Sequence, residues 1–181
     1  MVAEQPLWAP WRMEFILGNV ESREANSSEY ELLPGADPNC FLCQAAVDSE
    51  AKRHHRILLS PLSVAVLNLY PYNNGHILVA PRRHCARLEE LSREERSEPI
   101  EMIERLVQLL EQELSPEGFN IGLNLGRVAG AGLPGHIHWH LVPRWSGDTN
   151  FMPVLASTKV IPQSLDSLWE QLLQALETGK K

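Results

Sequence analysis

The sequence predicts an α+β fold with a mainly antiparallel β-sheet. Short apolar or alternating runs bounded by prolines are typical of antiparallel strands, and they occur at residues 57–59, 63–68 and 76–80. A long amphipathic stretch at 92–114 follows them, and a second one at 163–177 lies near the end of the chain. Strands in groups with an interposed helix and a final helix indicate helices packed on an antiparallel sheet. A chain of 181 residues with 44% hydrophobic residues is long enough for one domain with a core and too short for two.

Residues 1–38 precede the predicted core. The first part, 1–17, carries Trp8, Trp11 and Phe15, which is more apolar surface than a solvated tail needs. We therefore expect this part to pack on the domain or on a partner subunit. Residues 18–38 contain scattered acids and a Pro-Gly pair, and this composition indicates a surface loop or linker.

Cys40 and Cys43 form a Cys-x-x-Cys pair, which is half of a typical zinc site. A redox dithiol is an alternative, but it is expected at a helix start in a thioredoxin-like βαβ context that the sequence does not display. Two buried structural cysteines are a further alternative. Three cysteines do not make a disulfide framework.

The predicted strand 63–68 ends at Asn68, directly before a Tyr-Pro-containing turn. An asparagine at this place could bind a ligand or serve the turn, because asparagine side chains stabilise turns through their own backbone. The sequence alone does not separate the two roles.

The long helix is predicted to begin at Ser92, because Ser92 and Glu95 have the spacing of a capping box. Pro99 is expected to kink the helix or restart it after Ser97. Apolar residues at helical spacing predict the face that packs on the core. They are Ile100, Ile103, Val107, Leu110 and Leu114.

A strand at 119–125 is predicted to lead into a glycine-rich loop at 126–135. Glycines let backbone amides approach an anion closely, so the loop is a candidate phosphate-binding nest, and a flexible turn without a ligand is the alternative. Strand-like residues around Val154 and Leu155 and a helix at 163–177 complete the chain.

His136, His138 and His140 alternate with apolar residues, as in a half-buried strand that Pro143 ends. The three histidines are therefore predicted to share one face that is free for chemistry. His136 and His140 would lie about 13 Å apart on such a strand, so one ion shared by all three is not expected. A solvated polar face without a role is the alternative.

The formal net charge of −7 argues against a nucleic-acid groove, which requires a basic face. An anionic substrate would have to meet a local cluster of arginines, for which Arg82, Arg83, Arg127 and Arg144 are available.

No apolar run has the roughly 18–20 residues that a membrane span needs, and the N-terminus lacks the layout of a signal peptide. We expect a cytoplasmic protein that does not act on membranes.

The segment His-Ile-His-Trp-His-Leu-Val at 136–142 resembles the motif of the histidine-triad (HIT) superfamily of nucleotidyl hydrolases and transferases. Residues 67–84 resemble its ribose-binding strand pair, and residues 122–126 resemble its phosphate-side strand and loop. The segments 7–13 and 143–151 are similar to the branch that contains bacterial diadenosine tetraphosphate phosphorylases, which are ATP adenylyltransferase-like. The resemblance covers most of the chain outside about residues 18–38.

The resemblance implies a structural zinc ion held by Cys40, Cys43, His84 and His136, a Cys₂His₂ set closed to water. His136 would then have no catalytic task. Competing ligands remain in the sequence. They are His54, His55, His76 and Cys85.

The resemblance also implies catalytic roles for His138 and His140. His138 would attack the α-phosphate and carry the nucleotide covalently, with its second ring nitrogen bonded to an acceptor that we expect to be a backbone carbonyl. His140, Asn124 and the loop amides, with Gly132 among the substrate-binding residues, would hold the phosphate oxygens, and Asn68 would bind the ribose. Many HIT enzymes have glutamine or serine where this chain has Gly132, so side-chain help to the leaving group is absent there.

The resemblance therefore implies the HIT fold, a nucleotide substrate and usually a homodimer. We expect cleavage of dinucleoside polyphosphates such as diadenosine tetraphosphate, by phosphorolysis or hydrolysis. A purine nucleoside phosphoramidase and a non-catalytic, zinc-stabilised nucleotide-binding protein are the alternatives. The expected organisation is one HIT domain over 1–181, with an extension at 1–38, the HIT core at 39–145 and a C-terminal strand and helix at 146–181.

Overall fold

The computed structural model describes residues 31–156 and 158–179. The packing expected for residues 1–17, and the first part of the loop expected at 18–38, lie outside the described residues. The helices are α1 (Phe41–Ala45), α2 (Arg93–Leu114), α3 (Met152–Ala156) and α4 (Leu165–Thr178), and the strands are β1 (Arg56–Leu59), β2 (Ser63–Leu67), β3 (Ile77–Pro81), β4 (Gly118–Leu123) and β5 (Trp139–Arg144). Three single 3₁₀ turns lie at Ala51–His54, Leu88–Glu90 and Arg127–Ala129.

The five strands form one antiparallel sheet in the order β1-β2-β3-β5-β4. The predicted α+β fold is confirmed. In the centre of the sheet Leu78 pairs with His140, and on the other side of β5 Gly122 pairs with the same histidine. Because directly paired residues project on the same side of a sheet, this register fixes which face His140 occupies.

The two faces of the sheet have different coverings. One face carries Leu67, Ile77 and Leu141, which pack with α2 and α4 in the larger core. A fully buried leucine side chain contributes about 2 kcal/mol of transfer free energy, so the leucines buried on this face stabilise the fold substantially. The other face carries Val66 and Leu78, which pack on α1 over the β1-β2-β3 half of the sheet. The β5-β4 half of that face holds His140.

Helix α2 begins as predicted and continues where a break was expected. The Ser92 side chain accepts from the backbone of Glu95, and the Glu95 side chain accepts from the backbone of Ser92, which confirms the capping box. The helix is continuous through Pro99, so the predicted restart after Ser97 is wrong. Pro99 is itself buried, and burial of the residues that follow it compensates for the hydrogen bond that proline cannot donate.

The buried face of α2 is rotated from the predicted one. Ile100 is 51% exposed, although the sequence pattern placed it in the core. The residues that are buried are Pro99, Met102, Ile103, Leu106, Leu109 and Leu110. Met102, Leu106 and Leu109 form a second apolar stripe on α2. This stripe packs against α4 and the sheet.

The predicted strand around Leu155 is wrong, because Met152–Ala156 forms helix α3.

Pro143 does not end its strand, since β5 continues to Arg144 and Pro143 pairs with Phe119. The Pro143 carbonyl accepts from the Asn73 side chain at 3.0 Å, on the side away from β4. The nitrogen of a strand residue points to the same side as its carbonyl, so this proline removes no hydrogen bond to β4.

Among the described helices, none has both the length and the apolar character of a membrane span.

Candidate functional site

His138 lies just before β5, with its ring oriented by a backbone carbonyl. Its Nδ1 is 2.8 Å from the carbonyl oxygen of His136, so Nδ1–H donates to that oxygen and Nε2 keeps a lone pair. The structure thus provides the carbonyl acceptor expected from the sequence. His138 is 6% exposed. No described residue is hydrogen-bonded to its Nε2, and this atom contacts solvent. Burial lowers the pKa of His138, so the ring is neutral at pH 7.

The histidine row is not the freely exposed strand face that the alternation predicted. His136 and His138 precede the ladder, which begins at Trp139, because the backbone amide of Ile137 donates to the carbonyl of Cys85 at 2.7 Å instead. His136 is fully buried, whereas the rings of His138 and His140 lie 5.0 Å apart between centroids. The row is therefore divided: His136 faces the cysteines, and the other two histidines share one site.

A chain of hydrogen bonds fixes the proton position on His140. The backbone N–H of Tyr72 donates to His76 Nδ1 at 3.0 Å, so the proton of a neutral His76 is on Nε2. Burial lowers the pKa of His76 to about 3, and positive charge on His140 and His138 would lower it in the same direction. His76 Nε2–H therefore donates to His140 Nδ1 at 2.9 Å. The proton of a neutral His140 must then be on Nε2.

Asn124 meets His140 at this nitrogen. Its amide nitrogen lies 3.3 Å from His140 Nε2 and 3.5 Å from the carbonyl oxygen of Gly130. The glycine-rich loop turns here with positive φ at Gly126 and Gly130. The amide of Ala131 donates back to the carbonyl of Gly126, which folds the loop upon itself beside the histidines.

Asn68 makes the turn contact and lies beside His76. Its Oδ1 accepts from the backbone N–H of Tyr70 at 3.0 Å, which is the turn role. Its Nδ2 lies 3.2 Å from His76 Nδ1, which places the residue at the edge of the histidine site. The turn role is thus observed, and the ligand-binding role stays a prediction.

Four sulfur and nitrogen ligands converge beside His138. The Cys40 Sγ lies 3.2 Å from His136 Nδ1, and the Cys43 Sγ lies 3.2 Å from His84 Nδ1 and 3.5 Å from His136 Nδ1. All four ligand atoms lie within 4.8 Å of one another. Such a cluster could hold a metal ion. Two thiols and two imidazoles, with Cys40, Cys43 and His136 buried and His84 half-buried, fit a tetrahedral soft-metal site.

The surroundings of the cluster also fit a metal. His136 Nε2–H donates to the carbonyl of Pro81 at 2.8 Å, so Nδ1 keeps its lone pair toward the cysteines. Hydrogen bonding from Cys40 is the largest cause that lowers the pKa of the Cys43 thiol, to about 4. A thiolate is the form that binds metals. His136 thus belongs to the cluster through its ring and orients His138 through its carbonyl.

The other ligands considered from the sequence lie elsewhere. His54 bonds Asp48 at 3.0 Å, His55 bonds Asp166 at 2.8 Å, and His76 bonds His140. Cys85 is buried, burial raises the pKa of its thiol to about 11, and it is not in the cluster. Cys40 does cap a helix, but α1 is followed by a 3₁₀ turn and the edge strand β1 rather than by a βαβ unit.

Three of the four arginines considered for anion binding have internal partners. Arg82 donates to the carbonyls of Ala46 and Pro61, and Arg83 pairs with Glu95. Arg144 pairs with Asp148. Arg127, exposed on the glycine-rich loop, remains as a cation beside the site. That an anionic substrate meets any of these four arginines stays a prediction.

Sequence reasoning assigned no catalytic task to His76. Only the pairing of β3 with β5 could have revealed its role. Leu78 lies opposite His140, and His76, two positions before Leu78, therefore lies on the same face and reaches the His140 ring. Gly75 precedes it with φ of +75°, and a Cβ there would lie 2.9 Å from Leu114 Cδ1. The turn that delivers His76 therefore requires glycine.

Comparison with known proteins gives a consistent result. The HIT domain family matches residues 49–147. The chain is 39% identical over 162 residues to the AP-4-A phosphorylase of Mycobacterium tuberculosis, covering 89% of this chain and 78% of that protein. It is 37% identical over 87 residues to the asymmetrical bis(5'-nucleosyl)-tetraphosphatase of Schizosaccharomyces pombe, covering 48% of this chain and 47% of that protein.

Among solved structures, a zinc-bound histidine triad family protein from Mycobacterium smegmatis superposes with a TM-score of 0.57. The two chains are 25% identical, and the match covers 69% of this chain and 85% of the other.

Proposed function

Because the chain belongs to the HIT domain family, we propose that it is an enzyme that cleaves dinucleoside polyphosphates through a nucleotide carried covalently on His138. The observation that carries this proposal is the orientation of His138. Its Nδ1–H is bonded to the carbonyl of His136, and its neutral Nε2 contacts solvent. A neutral imidazole with one nitrogen held in this way is a good nucleophile and a good leaving group near pH 7.

In the first step, the Nε2 lone pair of His138 forms a bond to the α-phosphorus. The bond from that phosphorus to the bridging oxygen breaks, and the leaving polyphosphate takes its electron pair. His140 Nε2–H and the Asn124 amide are placed to donate to the non-bridging oxygens, where charge accumulates. Gly132 brings no side chain to the bridging oxygen, so this assistance depends on the loop backbone.

In the second step, an acceptor oxygen forms a bond to the same phosphorus and the bond to His138 Nε2 breaks, which restores the neutral ring. Water gives a nucleoside monophosphate, and inorganic phosphate gives a nucleoside diphosphate. The likeness to the AP-4-A phosphorylase over most of both chains favours phosphate as acceptor and diadenosine tetraphosphate as substrate. Asn68, at the edge of the site, is the ribose ligand in this proposal.

Cys40, Cys43, His84 and His136 would hold a structural zinc ion. When bound, zinc would supply a cross-link from α1 to the loop after β3 and to the segment before β5, because Cys40 and Cys43 belong to the start of α1, His84 to that loop and His136 to that segment. This cross-link would fix the His136 carbonyl that orients His138. The zinc-bound relative from M. smegmatis supports this part of the proposal.

The remaining organisation is also proposed. We assign one HIT domain to 1–181, with its core at 39–145 and the C-terminal part containing two helices rather than a strand and a helix. A homodimer would use β4, which is an edge strand with Ile121 50% exposed. Sedimentation of the wild type and of Ile121→Lys tests this, and a wild-type monomer contradicts it.

Product analysis tests the function. Diadenosine tetraphosphate is incubated with the protein in buffer with and without inorganic phosphate, and with His138→Ala as the inactive control. Adenosine diphosphate formed only when phosphate is present indicates phosphorolysis, and adenosine monophosphate without phosphate indicates hydrolysis. Cleavage of adenosine 5'-phosphoramidate alone would identify a phosphoramidase. Binding without any cleavage would identify a non-catalytic nucleotide-binding protein.

A further inference from the structure

A cavity lies at one end of the sheet, between the glycine-rich loop and the segment that follows β3. It has a volume of about 300 Å³. Residues 86–89 line one side of it, and Leu125, Gly126 and Pro134 line the other. Small-molecule sites in proteins start at about this size, so the cavity has room for one group as large as a nucleoside.

The cavity and the proposed ribose ligand lie at opposite ends of the sheet. Residues 86–89 follow β3, Leu125 follows β4 and Pro134 precedes β5. These strand ends lie side by side, because β5 is antiparallel to both β3 and β4. Asn68 follows β2, which is antiparallel to β3, and therefore lies at the other end. A nucleotide with its ribose at Asn68 and its α-phosphate at His138 thus directs its leaving group toward the cavity.

The glycine-rich loop connects the cavity with the histidine site. The Asn124 amide nitrogen lies 3.3 Å from His140 Nε2, and the next two residues, Leu125 and Gly126, line the cavity. Consecutive Cα atoms are about 3.8 Å apart, so Gly126 lies within about 8 Å of Asn124. The backbone N–H of Ala131 also donates to the carbonyl of Gly126 at 3.3 Å. The phosphates that follow the α-phosphate can bridge this short distance.

The lining of the cavity favours a flat apolar group over an anion. Its apolar surface comes from Ala86, Leu88, Leu125 and Pro134. The charge of Arg87 is already compensated, because its guanidinium pairs with Glu89. A guanidinium plane stacks on nucleobases, and apolar surface that becomes buried adds to the stacking. A base in the cavity would cover Leu125, which is 49% exposed.

Arg127 provides positive charge next to the cavity. It follows Gly126 on the loop and is exposed. Its guanidinium has no hydrogen-bond or ion-pair partner among residues 31–156 and 158–179. In a protein with a net charge of −7, an uncompensated cation beside an apolar cavity favours a ligand that joins a nucleoside to phosphates.

We propose that this cavity binds the second nucleoside of a dinucleoside polyphosphate, which departs with the leaving polyphosphate, and that its base lies against Arg87 and Leu125. The inference rests on the proposed function, because that function places the α-phosphate at His138. The cavity would make the enzyme selective for substrates that carry a nucleoside at both ends of the phosphate chain.

Equilibrium binding tests this proposal without turnover. The probes are methylene analogues of diadenosine tetraphosphate and of adenosine 5'-tetraphosphate, in which carbon replaces the bridging oxygen next to each α-phosphate. The two probes differ in the second adenosine. Dissociation constants are measured for the wild type, Leu125→Ser and Arg87→Ala. The matched controls are Leu155→Ser on α3 and Arg105→Ala on α2, because both residues are exposed and lie outside the cavity.

We expect the wild type to bind the dinucleoside analogue about tenfold more tightly than the adenosine tetraphosphate analogue, since stacking of one base contributes about 1–3 kcal/mol. Leu125→Ser and Arg87→Ala should each weaken the dinucleoside analogue about fivefold or more. They should change binding of the adenosine tetraphosphate analogue by less than about twofold, and the controls should bind both probes like the wild type.

Three results would overturn the proposal. They are equal affinity of the wild type for both probes, equal weakening of both probes by the cavity variants, and no weakening of either. Failure of the proposed function has a different signature, namely no turnover of diadenosine tetraphosphate by the wild type.

Discussion

Nε2 of His76 lies 2.9 Å from Nδ1 of His140, and this contact determines which nitrogen of His140 carries a proton. The proton of His76 is itself placed by the backbone N–H of Tyr72. His140 is thereby set to donate from Nε2 toward the substrate side of the site. A backbone amide thus determines, through two rings, the donor that a phosphate oxygen would meet.

Replacing His76 by phenylalanine keeps a ring in place and removes this donor. We expect kcat on diadenosine tetraphosphate to fall about 10- to 100-fold with little change in KM, because the lost hydrogen bond serves the transition state. The ¹⁵N shifts of His140 should show loss of the single tautomer. His55→Gln, a histidine paired with Asp166 outside the site, is the control. Unchanged ¹⁵N shifts in His76→Phe would contradict the account.

The same burial of His76 makes stability depend on pH. The pKa of His76 is about 3 in the folded protein and about 6.5 in an unfolded chain. Below pH 6.5 the unfolded state binds one more proton, so this group lowers stability as pH falls, by about 1.4 kcal/mol per pH unit, until pH approaches 3. Urea unfolding at several pH values between 7.5 and 4.5 should show a shallower slope for His76→Phe than for the wild type. Parallel slopes would rule this out.

Asp148 holds the turn from which His76 projects. It accepts from the Asn73 side chain at 2.9 Å, and the carbonyl of Asn73 accepts from the backbone N–H of His76 at 3.2 Å. Asp148→Asn keeps the shape and removes the charge that binds Arg144. We expect kcat to fall about fivefold or more, since a small displacement of His76 moves His140. Asp166→Asn removes a carboxylate outside the site and should leave kcat unchanged, and equal effects of both would argue against this role.

Metal analysis tests the cysteine cluster. Freshly purified protein should contain about one zinc ion per chain, and Cys43→Ser should lose it together with several degrees of thermal stability. Cys85→Ser is the matched control, because Cys85 is a buried cysteine outside the cluster. Retention of full zinc by Cys43→Ser, or wild-type protein without metal, would contradict the assignment.

Local signals predicted much of the molecule. The capping box at Ser92 and the short proline-bounded strands depend on near neighbours, and the structure has them. The four ligands of the cluster came from a resemblance, because residues at 40 and 136 meet only through the fold. Their convergence within 4.8 Å agrees with it.

The failures share a different cause. Pro143 stays inside β5 because its carbonyl is bonded to Asn73, a partner seventy positions away that no local pattern reveals. Helix α2 continues through Pro99 because the helix residues that follow are buried against the sheet and α4, and this burial outweighs the lost hydrogen bond. The role of His76 depends on the register between β3 and β5. Each of these required knowledge of which distant segments are in contact.

The central claim is that His138 carries the nucleotide, and trapping the adduct tests it most directly. The protein is mixed with radiolabelled diadenosine tetraphosphate in phosphate-free buffer, quenched with alkali, in which a phosphohistidine bond survives, and digested for mass spectrometry. The account predicts one nucleotidyl group on the peptide that contains His138, absent from His138→Ala and discharged when phosphate is added before the quench. Turnover at full rate with no label on that peptide, or by His138→Ala, would contradict it.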